Sequence, residues 1–365
     1  MSVKNVVLIG ATGSIGKNTL RVIAAHPDRL RLVGAANRSR CEDLEAIGKH
    51  FGVKRLVCCS RDGEKALCEL AALPEADIVV MAAGGTVCLA PTLAAIEAGK
   101  TIALASKEVL VMAGAFVMEA ARRKGVRILP VDSEHNAIFQ CLDGRAGGVE
   151  KLILTASGGP FRDASIEEMR SATPEQALRH PNWSMGPKIT IDSATMVNKG
   201  LEMIEARWLF DVAPEKIEVT IHPQSIVHSM VEFVDGSILA QLAPPSMTFA
   251  IQHALLYPER RRGVEAPLDF ARAMSLSFSP PNPVKFPALS LARQAMLAGG
   301  SAPAVFNAAN EVAVDAFIKG EIPFLAIASI IEQTLSRVPI LQPESLEELL
   351  EADARARTEA RAAIK

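Results

Sequence analysis

Val6-Val7-Leu8-Ile9-Gly10-Ala11-Thr12-Gly13-Ser14-Ile15-Gly16, followed by helix-forming residues from Asn18 to Ala25, decides how the chain begins to fold. An unbroken apolar run that stops at glycine reads as a strand buried on both faces. The glycines after it let backbone approach a bound pyrophosphate closely. The helix that follows turns free N–H groups and a positive dipole end toward the same place. A plain glycine-rich turn is the other possibility. The order strand, turn, helix favours a dinucleotide site.

The same pattern repeats outward from this stretch. Leu30–Ala36, Arg55–Cys59, Ile78–Met81, Thr101–Leu104 and Val126–Leu129 are further apolar runs. Segments of helical composition, such as Ala90–Ala98 and Gly114–Lys124, separate them. This alternation predicts a parallel sheet covered on both faces over residues 1–130. From 131 to 262 the pattern changes to α+β. Strands are expected at Lys151–Thr155, Lys188–Ile191, Ile217–His222, Ile226–Phe233 and Ile238–Leu242, with a hairpin at Asp235-Gly236. Residues 263–288 end in Pro280, Pro281, Pro283 and Pro287 and read as a linker. Residues 289–365 are rich in Ala, Leu, Glu and Arg and read as a small helical domain. The expected fold class is α/β: an N-terminal Rossmann-like parallel sheet, a central α+β domain and a C-terminal helical bundle.

Composition narrows the function. Among 365 residues, 39 Lys+Arg face 41 Asp+Glu, a net charge of −2 that gives no bulk attraction to nucleic acid or anionic membranes. Only 4% of residues are aromatic, too few for a base-stacking surface. No charge-free apolar run is long enough to span a bilayer, no signal peptide is visible at the N-terminus, and a cytoplasmic protein is expected. The six cysteines, Cys41, Cys58, Cys59, Cys68, Cys88 and Cys141, form no C-x-x-C pair and are expected to be reduced and mostly buried.

Several segments carry chemistry. After the second apolar run, Asn37-Arg38-Ser39-Arg40 offers guanidinium and hydroxyl groups where an NAD-specific fold places a carboxylate. Arg38 and Ser39 suit a 2′-phosphate and so NADPH, with a solvated loop charge as the alternative. Ser106-Lys107-Glu108 follows a strand at the end that faces the ligand crevice of such sheets, with an ordinary surface Lys–Glu ion pair as the alternative. Asp132 and Glu134 are two apart and, in an extended segment, would point to one side as oxygen ligands for a hard cation. His135 beside them reads as a third ligand or, by preference, a satisfied interior histidine, and a solvated strand end remains open for the carboxylates.

Three further segments combine glycine with many small donors: Thr155-Ala156-Ser157-Gly158-Gly159-Pro160, His180-Pro181-Asn182-Trp183-Ser184-Met185-Gly186, and the run from Asp192 through Ser193, Asn198 and Lys199 to Glu202. Hydroxyls, an amide, an imidazole and a lysine together are what a phosphate needs. Glu202 is read as opening a helix whose buried face carries Leu201, Ile204 and Trp208. Trp183 sits in a loop, where it could act as a lid over a small ligand. His222 and His228 are read as structural.

Assembled, these strings resemble the 1-deoxy-D-xylulose 5-phosphate reductoisomerase family over nearly the whole chain. The likeness is strongest at Val131–Gln140, Thr155–Phe161, His180–Gly186, Ile191–Phe210 and Ile221–Met230. It implies an NADPH domain, a central catalytic and dimerising domain, and a homodimer. It also implies NADPH- and divalent-metal-dependent conversion of 1-deoxy-D-xylulose 5-phosphate to 2-C-methyl-D-erythritol 4-phosphate, with Mg²⁺, Mn²⁺ or Co²⁺ as the cation. By position, the resemblance assigns cofactor contacts to Thr12, Gly13, Ser14, Ile15, Ala36, Asn37, Arg38, Ser39, Ser106, Glu108 and Gly186. It assigns metal ligation to Asp132, Glu134 and Glu202. Substrate contacts fall on Lys107, Ser133, Glu134, Ser157, His180, Ser193, Asn198, Lys199 and Glu202, with Lys107, Glu134, His180 and Glu202 in catalytic roles and Trp183 and Met185 in the lid.

Two rivals are weaker. A semialdehyde-type dehydrogenase needs a cysteine nucleophile in its second domain, and no cysteine follows Cys141. A non-catalytic NADPH sensor would have no use for the carboxylates at 132, 134 and 202.

Overall fold

The structure, a computed structural model, describes residues 2–143, 147–183 and 185–364. In chain order the elements are β1 (Lys4–Ile9), α1 (Ser14–Ala25), β2 (Leu30–Asn37), α2 (Cys41–Phe51), β3 (Arg55–Cys58), α3 (Cys59–Ala71), β4 (Ile78–Met81), α4 (Leu89–Glu97), β5 (Thr101–Leu104), α5 (Glu108–Lys124), β6 (Ile128–Pro130) and α6 (Ser133–Leu142). There follow β7 (Val149–Ala156), α7 (Ile166–Arg170), α8 (Pro174–Ala177), α9 (Pro187–Ala194), α10 (Val197–Phe210), β8 (Ile217–Ile221), β9 (Val227–Phe233), β10 (Ile238–Leu242) and α11 (Met247–Leu256). The C-terminal helices are α12 (Ala288–Ala298), α13 (Ala302–Ile318), α14 (Ala326–Arg337) and α15 (Leu346–Ile364). These elements form two compact units. One comprises Met1–Val109, Gly114–Gln140 and Ser246–Asp269, the other Leu110–Ala113, Cys141–Pro245 and Phe270–Lys365.

The first unit is a six-stranded sheet in the order β3-β2-β1-β4-β5-β6. Every neighbouring pair is parallel. Parallel strands need helical crossovers that cover both faces, which is why Val6, Val7 and Leu8 have no exposure at all. The strand order reverses between β1 and β4, and the loop after β1 stands at that switch point, where such sheets bind their ligands. Helix α11 belongs to this unit, with Ile251, Ala254, Leu255 and Leu256 in the core beside Val22 and Ile23 of α1. Lys4 Nζ donates to the carbonyls of Leu255 (3.0 Å) and Tyr257 (2.8 Å), fixing the end of α11 to the start of β1.

The second unit holds a four-stranded sheet, β10-β9-β7-β8. Strands β7 and β8 are parallel, and β9 pairs antiparallel with both β7 and β10. The β9–β10 hairpin turns at Asp235-Gly236 as the sequence predicts. Gly236 takes φ +82° there, a left-handed conformation that glycine adopts without a Cβ penalty. Helix α10 packs on the sheet, and helices α12 to α15 pack against α9, α10 and one another. Helix α13 is buried along nearly its whole length, as expected of a helix apolar on all faces.

Three expectations are corrected. Lys188–Ile191 is not a strand but the core of helix α9. Its Ile-Thr-Ile run has strand-like composition, yet Pro187 stands at the first helical turn, where a missing N–H does no harm, and Lys188 pairs with Asp192 one turn on at 2.7 Å. Glu202 does not open a helix; it lies within α10, and Trp208 on that helix is only half buried, with the Arg207 guanidinium 4.8 Å from its ring centroid. The six thiols are not all free. Cys41 and Cys58 form a disulfide with Cα atoms 5.5 Å apart. Parallel pairing of β2 with β3 sets Cys58 opposite Asn37, and the chain turns back into α2 right after the loop that follows, bringing Cys41 alongside. Cys59 and Cys68 are half-buried free thiols, while Cys88 and Cys141 are buried ones.

Candidate functional site

The first unit presents the predicted nucleotide cradle. The N–H groups of Gly10 and Ala11 both donate to the Ala36 carbonyl at 2.8 Å, locking the loop to the end of β2. Gly10 holds φ +93°, and a Cβ there would stand 2.4 Å from the Ala82 carbonyl oxygen. A Cβ on Gly16 would stand 2.2 Å from the Gly10 oxygen. Both glycines are therefore demanded by close backbone approach. Gly13 is the N-cap of α1, and no side chain caps the helix. Its first N–H groups are thus available to an anion, as the dipole also favours.

The second cofactor segment closes one side of this cradle. Arg38 and Ser39 are exposed at the end of β2, whereas Ala36 and Asn37 are buried. Arg40 turns away from them, its Nη2 donating to the Thr12 carbonyl at 2.7 Å, and the Asn37 amide donates to the Arg40 carbonyl. The sequence pattern points to Arg38 and Ser39; the clamp through Arg40 depends on how the two loops meet and leaves no local signal. Ser106 is buried, with Oγ within 2.5 Å of the Ala83 carbonyl and 3.1 Å of that of Met81. Its hydroxyl thus ties the end of β5 to that of β4. Glu108 is the first residue of α5.

Asp132, Ser133 and Glu134 are also in the first unit, but not in an extended segment. Glu134 and Ser133 form the first turn of α6, and Asp132 precedes it. The Asn136 N–H already bonds the Asp132 carbonyl at 2.8 Å, as in a helix. The two carboxylates are therefore grouped by a helix N-terminus, which stabilises negative charge. Ser133 N–H donates to Asp132 Oδ1 at 3.0 Å, and Ser133 Oγ donates to Glu134 Oε2 at 2.6 Å. Lys107 forms a buried ion pair with Asp132. His135 is fully buried, as expected of an interior histidine.

The second unit gathers the donor-rich segments. His180 Nδ1 accepts the backbone N–H groups of Asn182 (3.2 Å) and Trp183 (3.0 Å). A backbone N–H can only donate, so Nδ1 carries no proton and the neutral ring has its proton on Nε2. Nε2 lies 3.0 Å from Ser157 Oγ and 3.1 Å from Ser193 Oγ, and donates toward them. Burial pushes the imidazole pKa down to about 4, so the ring is neutral near neutral pH. Ser157 Oγ also accepts the Gly159 N–H at 3.2 Å, which leaves its own proton to point outward. Asn182 anchors the loop further, donating to the Pro223 carbonyl at 2.7 Å and to Ser225 Oγ at 2.8 Å. Ser184, named with this loop, lies outside the described residues; Gly186 is the N-cap of α9.

Helix α9 ends at Ala194, and α10 begins at Val197 after Met196 takes φ +62°. This sharp junction places Ser193 at the end of one helix and Asn198, Lys199 and Glu202 on the first turns of the next. Asn198 Nδ2 donates to Glu202 Oε1 at 2.5 Å, and Lys199 Nζ pairs with Glu202 Oε2. The side chains of Lys199 and Glu202 are 4% and 1% exposed, so this is a deeply buried ion pair.

The family model for the 1-deoxy-D-xylulose 5-phosphate reductoisomerase C-terminal domain matches residues 128–210. A second model, the DXP reductoisomerase C-terminal domain, matches 242–359, and one for 1-deoxy-D-xylulose 5-phosphate reductoisomerase matches 6–62 and 56–114. The chain is 50% identical to the 1-deoxy-D-xylulose 5-phosphate reductoisomerase of Pseudomonas putida (strain W619), over 98% of this chain and 96% of that protein. It is also 50% identical to that of Pelotomaculum thermopropionicum, over 97% of each. Among solved structures, the Zymomonas mobilis enzyme in complex with NADPH superposes with a TM-score of 0.92 at 44% identity over the full length of both chains. A DOX-P reductoisomerase in complex with NADPH, fosmidomycin and magnesium gives 0.92 at 43% identity, over 99% of this chain and 98% of that one. With identity this high across nearly every residue, the chain belongs to the 1-deoxy-D-xylulose 5-phosphate reductoisomerase family.

Proposed function

We infer that this chain converts 1-deoxy-D-xylulose 5-phosphate and NADPH to 2-C-methyl-D-erythritol 4-phosphate with a divalent cation, a step toward isoprenoid precursors. Family membership supports the reaction. The observation that carries the binding role is the hydroxyl–imidazole cluster of Ser157, His180 and Ser193 in the second unit.

In this reading that cluster, with Asn198 and Lys199, receives the substrate phosphate. His180 supplies its Nε2 proton to the two serine oxygens, and the serine protons are thereby directed at phosphate oxygens. Holding the phosphate far from the reacting carbons orients them, so the binding energy serves the transition state. His180, through Nδ1, also fixes the backbone at Trp183, and Trp183 with Met185 forms the lid that excludes water.

The uncapped N-terminus of α1 and the two close-packed glycines fit a dinucleotide pyrophosphate held by Thr12, Gly13, Ser14 and Ile15. Arg38 and Ser39 hold the 2′-phosphate beside Ala36 and Asn37, with Ser106, Glu108 and Gly186 as further cofactor contacts. The oxygen-only donor set of Asp132, Glu134 and Glu202 fits a hard cation such as Mg²⁺, Mn²⁺ or Co²⁺. When bound, NADPH supplies hydride and the cation supplies Lewis-acid stabilisation of charge on substrate oxygens. Lys107 pairs with Asp132 and Ser133 Oγ donates to Glu134, holding the two carboxylates in place. Lys107 and Ser133 stand at the substrate's reacting end in this assignment, and Glu134 and Glu202 contact it as well.

The active form in this reading is a homodimer. An extended arm of the second unit pairs with the edge of β8 through Ser279 and Ile221, and it exposes Phe270, Met274, Leu276 and Phe278, an apolar row that suits a second copy. No helix of the described residues is long and apolar enough to cross a membrane, and we place the enzyme in the cytoplasm with its soluble cofactor. One assay tests the function: NADPH oxidation with the pentulose phosphate, with and without a chelator, and identification of the product. No substrate-dependent oxidation, or oxidation indifferent to chelation, would overturn the reading.

A further inference from the structure

Asp192 is 1% exposed, one residue before Ser193. A carboxylate so deeply buried is tolerated only when its charge and lone pairs are met. Lys188, one turn earlier on α9, meets the charge at 2.7 Å. The second partner comes from a distant part of the chain: Asn310 Nδ2 donates to Asp192 Oδ1 at 2.8 Å. Asn310 sits in the middle of α13 with no exposure, among Ala308, Ala309, Val312 and Ala313, all likewise buried. Its own Oδ1 has no partner among the described residues. An apolar residue would suit that setting better. The amide meets its burial penalty with a single charge-assisted bond to the end of α9.

Two other contacts act on the same place. Thr195 Oγ1 donates to the carbonyls of Ile191 (3.0 Å) and Asp192 (3.1 Å), closing the helix. Gly159 packs tightly against the same turn, since a Cβ there would stand 2.7 Å from the Ser193 carbonyl oxygen. The end of α9 is thus packed against the Ser157 loop and tethered by Asn310. The tether acts one residue from Ser193, whose Oγ lies 3.1 Å from His180 Nε2.

We propose that Asn310, acting through Asp192, is a positioning residue that holds Ser193 where the substrate phosphate is bound. The inference rests on the phosphate role given to Ser193 above. It assigns work to a residue in the core of the C-terminal helices that touches neither substrate nor cofactor.

The experiment is a double-mutant cycle of Asn310→Ala with Ser193→Ala in the full-length enzyme. It reads KM for the pentulose phosphate, KM for NADPH, kcat, and competitive inhibition by inorganic phosphate. Asn310→Ala should raise the substrate KM and the phosphate inhibition constant in parallel, by about tenfold, the loss of one charge-assisted contact. KM for NADPH should stay unchanged. In the Ser193→Ala background the same substitution should add little. Additive effects, or equal changes in both KM values, would overturn the proposal and leave the phosphate site standing. A Ser193→Ala enzyme with unaltered substrate KM would remove the phosphate role of Ser193 and this inference with it. If Asn310→Ala does not fold, Asn310→Leu takes its place in the cycle. It keeps the side-chain volume in an apolar setting and removes the amide that donates to Asp192, and the same criteria decide.

Discussion

His180 Nδ1 accepts the backbone N–H of Trp183 at 3.0 Å, so the ring that faces Ser157 and Ser193 also holds the loop proposed as lid. This works only with the neutral ring. Protonation at Nδ1 would turn an acceptor into a donor facing two other donors.

The first prediction follows from the sign of the pKa shift. The folded-state value is about 4 against an ordinary 6.5, so between those values the unfolded chain binds more protons than the folded one. Stability linked to His180 is therefore fully present above about pH 6.5 and drains away as the pH falls toward about 4. Long-range proton–nitrogen NMR should show His180 as the Nε2–H tautomer across the neutral range, with no titration there. A midpoint near the ordinary histidine value would contradict the network. His180→Asn should raise the substrate KM by about tenfold, through loss of the bonds to Ser157 and Ser193.

Cofactor choice gives the second. Arg38 is exposed at the end of β2, whereas Arg40 is engaged with Thr12. Arg38→Ala should weaken NADPH by about 1.5–3 kcal/mol, the worth of a contact to a charged group, while leaving NADH nearly unaffected. Comparing kcat/KM for both cofactors in wild type and variant checks this. An unchanged preference would move the 2′-phosphate off Arg38.

How much of this was legible in the sequence depended on whether the determinant was local. The β1–Gly10–α1 turn was, because the apolar run, the glycines and the helix-forming residues are contiguous, although Gly10 itself is required by the backbone of Ala82, beyond β4. The continuous apolar runs likewise gave the parallel sheet, since burial on both faces leaves its mark in each strand. Helix α9 was misread because Ile189, Thr190 and Ile191 suit a strand, and the signals against it, Pro187 and the Lys188–Asp192 spacing, are weak alone. Asp132 and Glu134 stand two apart in the sequence, but the helix turn that groups them leaves no plain local signal. The Cys41–Cys58 bond depends on the β2–β3 register, and the His180 tautomer on two backbone N–H groups of the following loop. The Asn310–Asp192 bond joins residues 118 apart, a distance that no local pattern spans.

Lys199 supplies the third prediction. It was expected to bind phosphate, and the structure also pairs it with Glu202. Lys199→Ala therefore removes two things at once. The substrate KM should rise by about tenfold or more. Stability should also fall, by about 3–5 kcal/mol, because Glu202 is left buried without its counter-charge. Lys199→Ala combined with Glu202→Gln should recover most of that stability and none of the activity. Thermal melts and steady-state kinetics on the single and double variants separate the two effects. A Lys199→Ala protein as stable as wild type would mean that the pair contributes little.

The last prediction concerns the proposed cation ligands. Asp132, Glu134 and Glu202 must be ionised to bind a hard cation, so affinity should fall as acid supplies competing protons. Glu134→Gln keeps the shape of the side chain and removes its charge, and it should abolish most turnover. The nucleotide cradle at Gly10 to Gly16 lies elsewhere in the fold, so NADPH affinity by isothermal titration should stay near wild type. A second readout does not depend on turnover. Mg²⁺ or Mn²⁺ that binds the folded state alone raises the melting temperature by mass action, about 2.7 kcal/mol of stabilisation at a hundredfold excess over Kd. That rise should be present in wild type and lost in both Glu134→Gln and Glu202→Gln. The Glu202 variant starts from an altered baseline, since its charge also neutralises Lys199, so the comparison is of the metal-induced rise within each protein. If both variants keep the full rise and the wild-type metal dependence of turnover, these carboxylates are not the ligands.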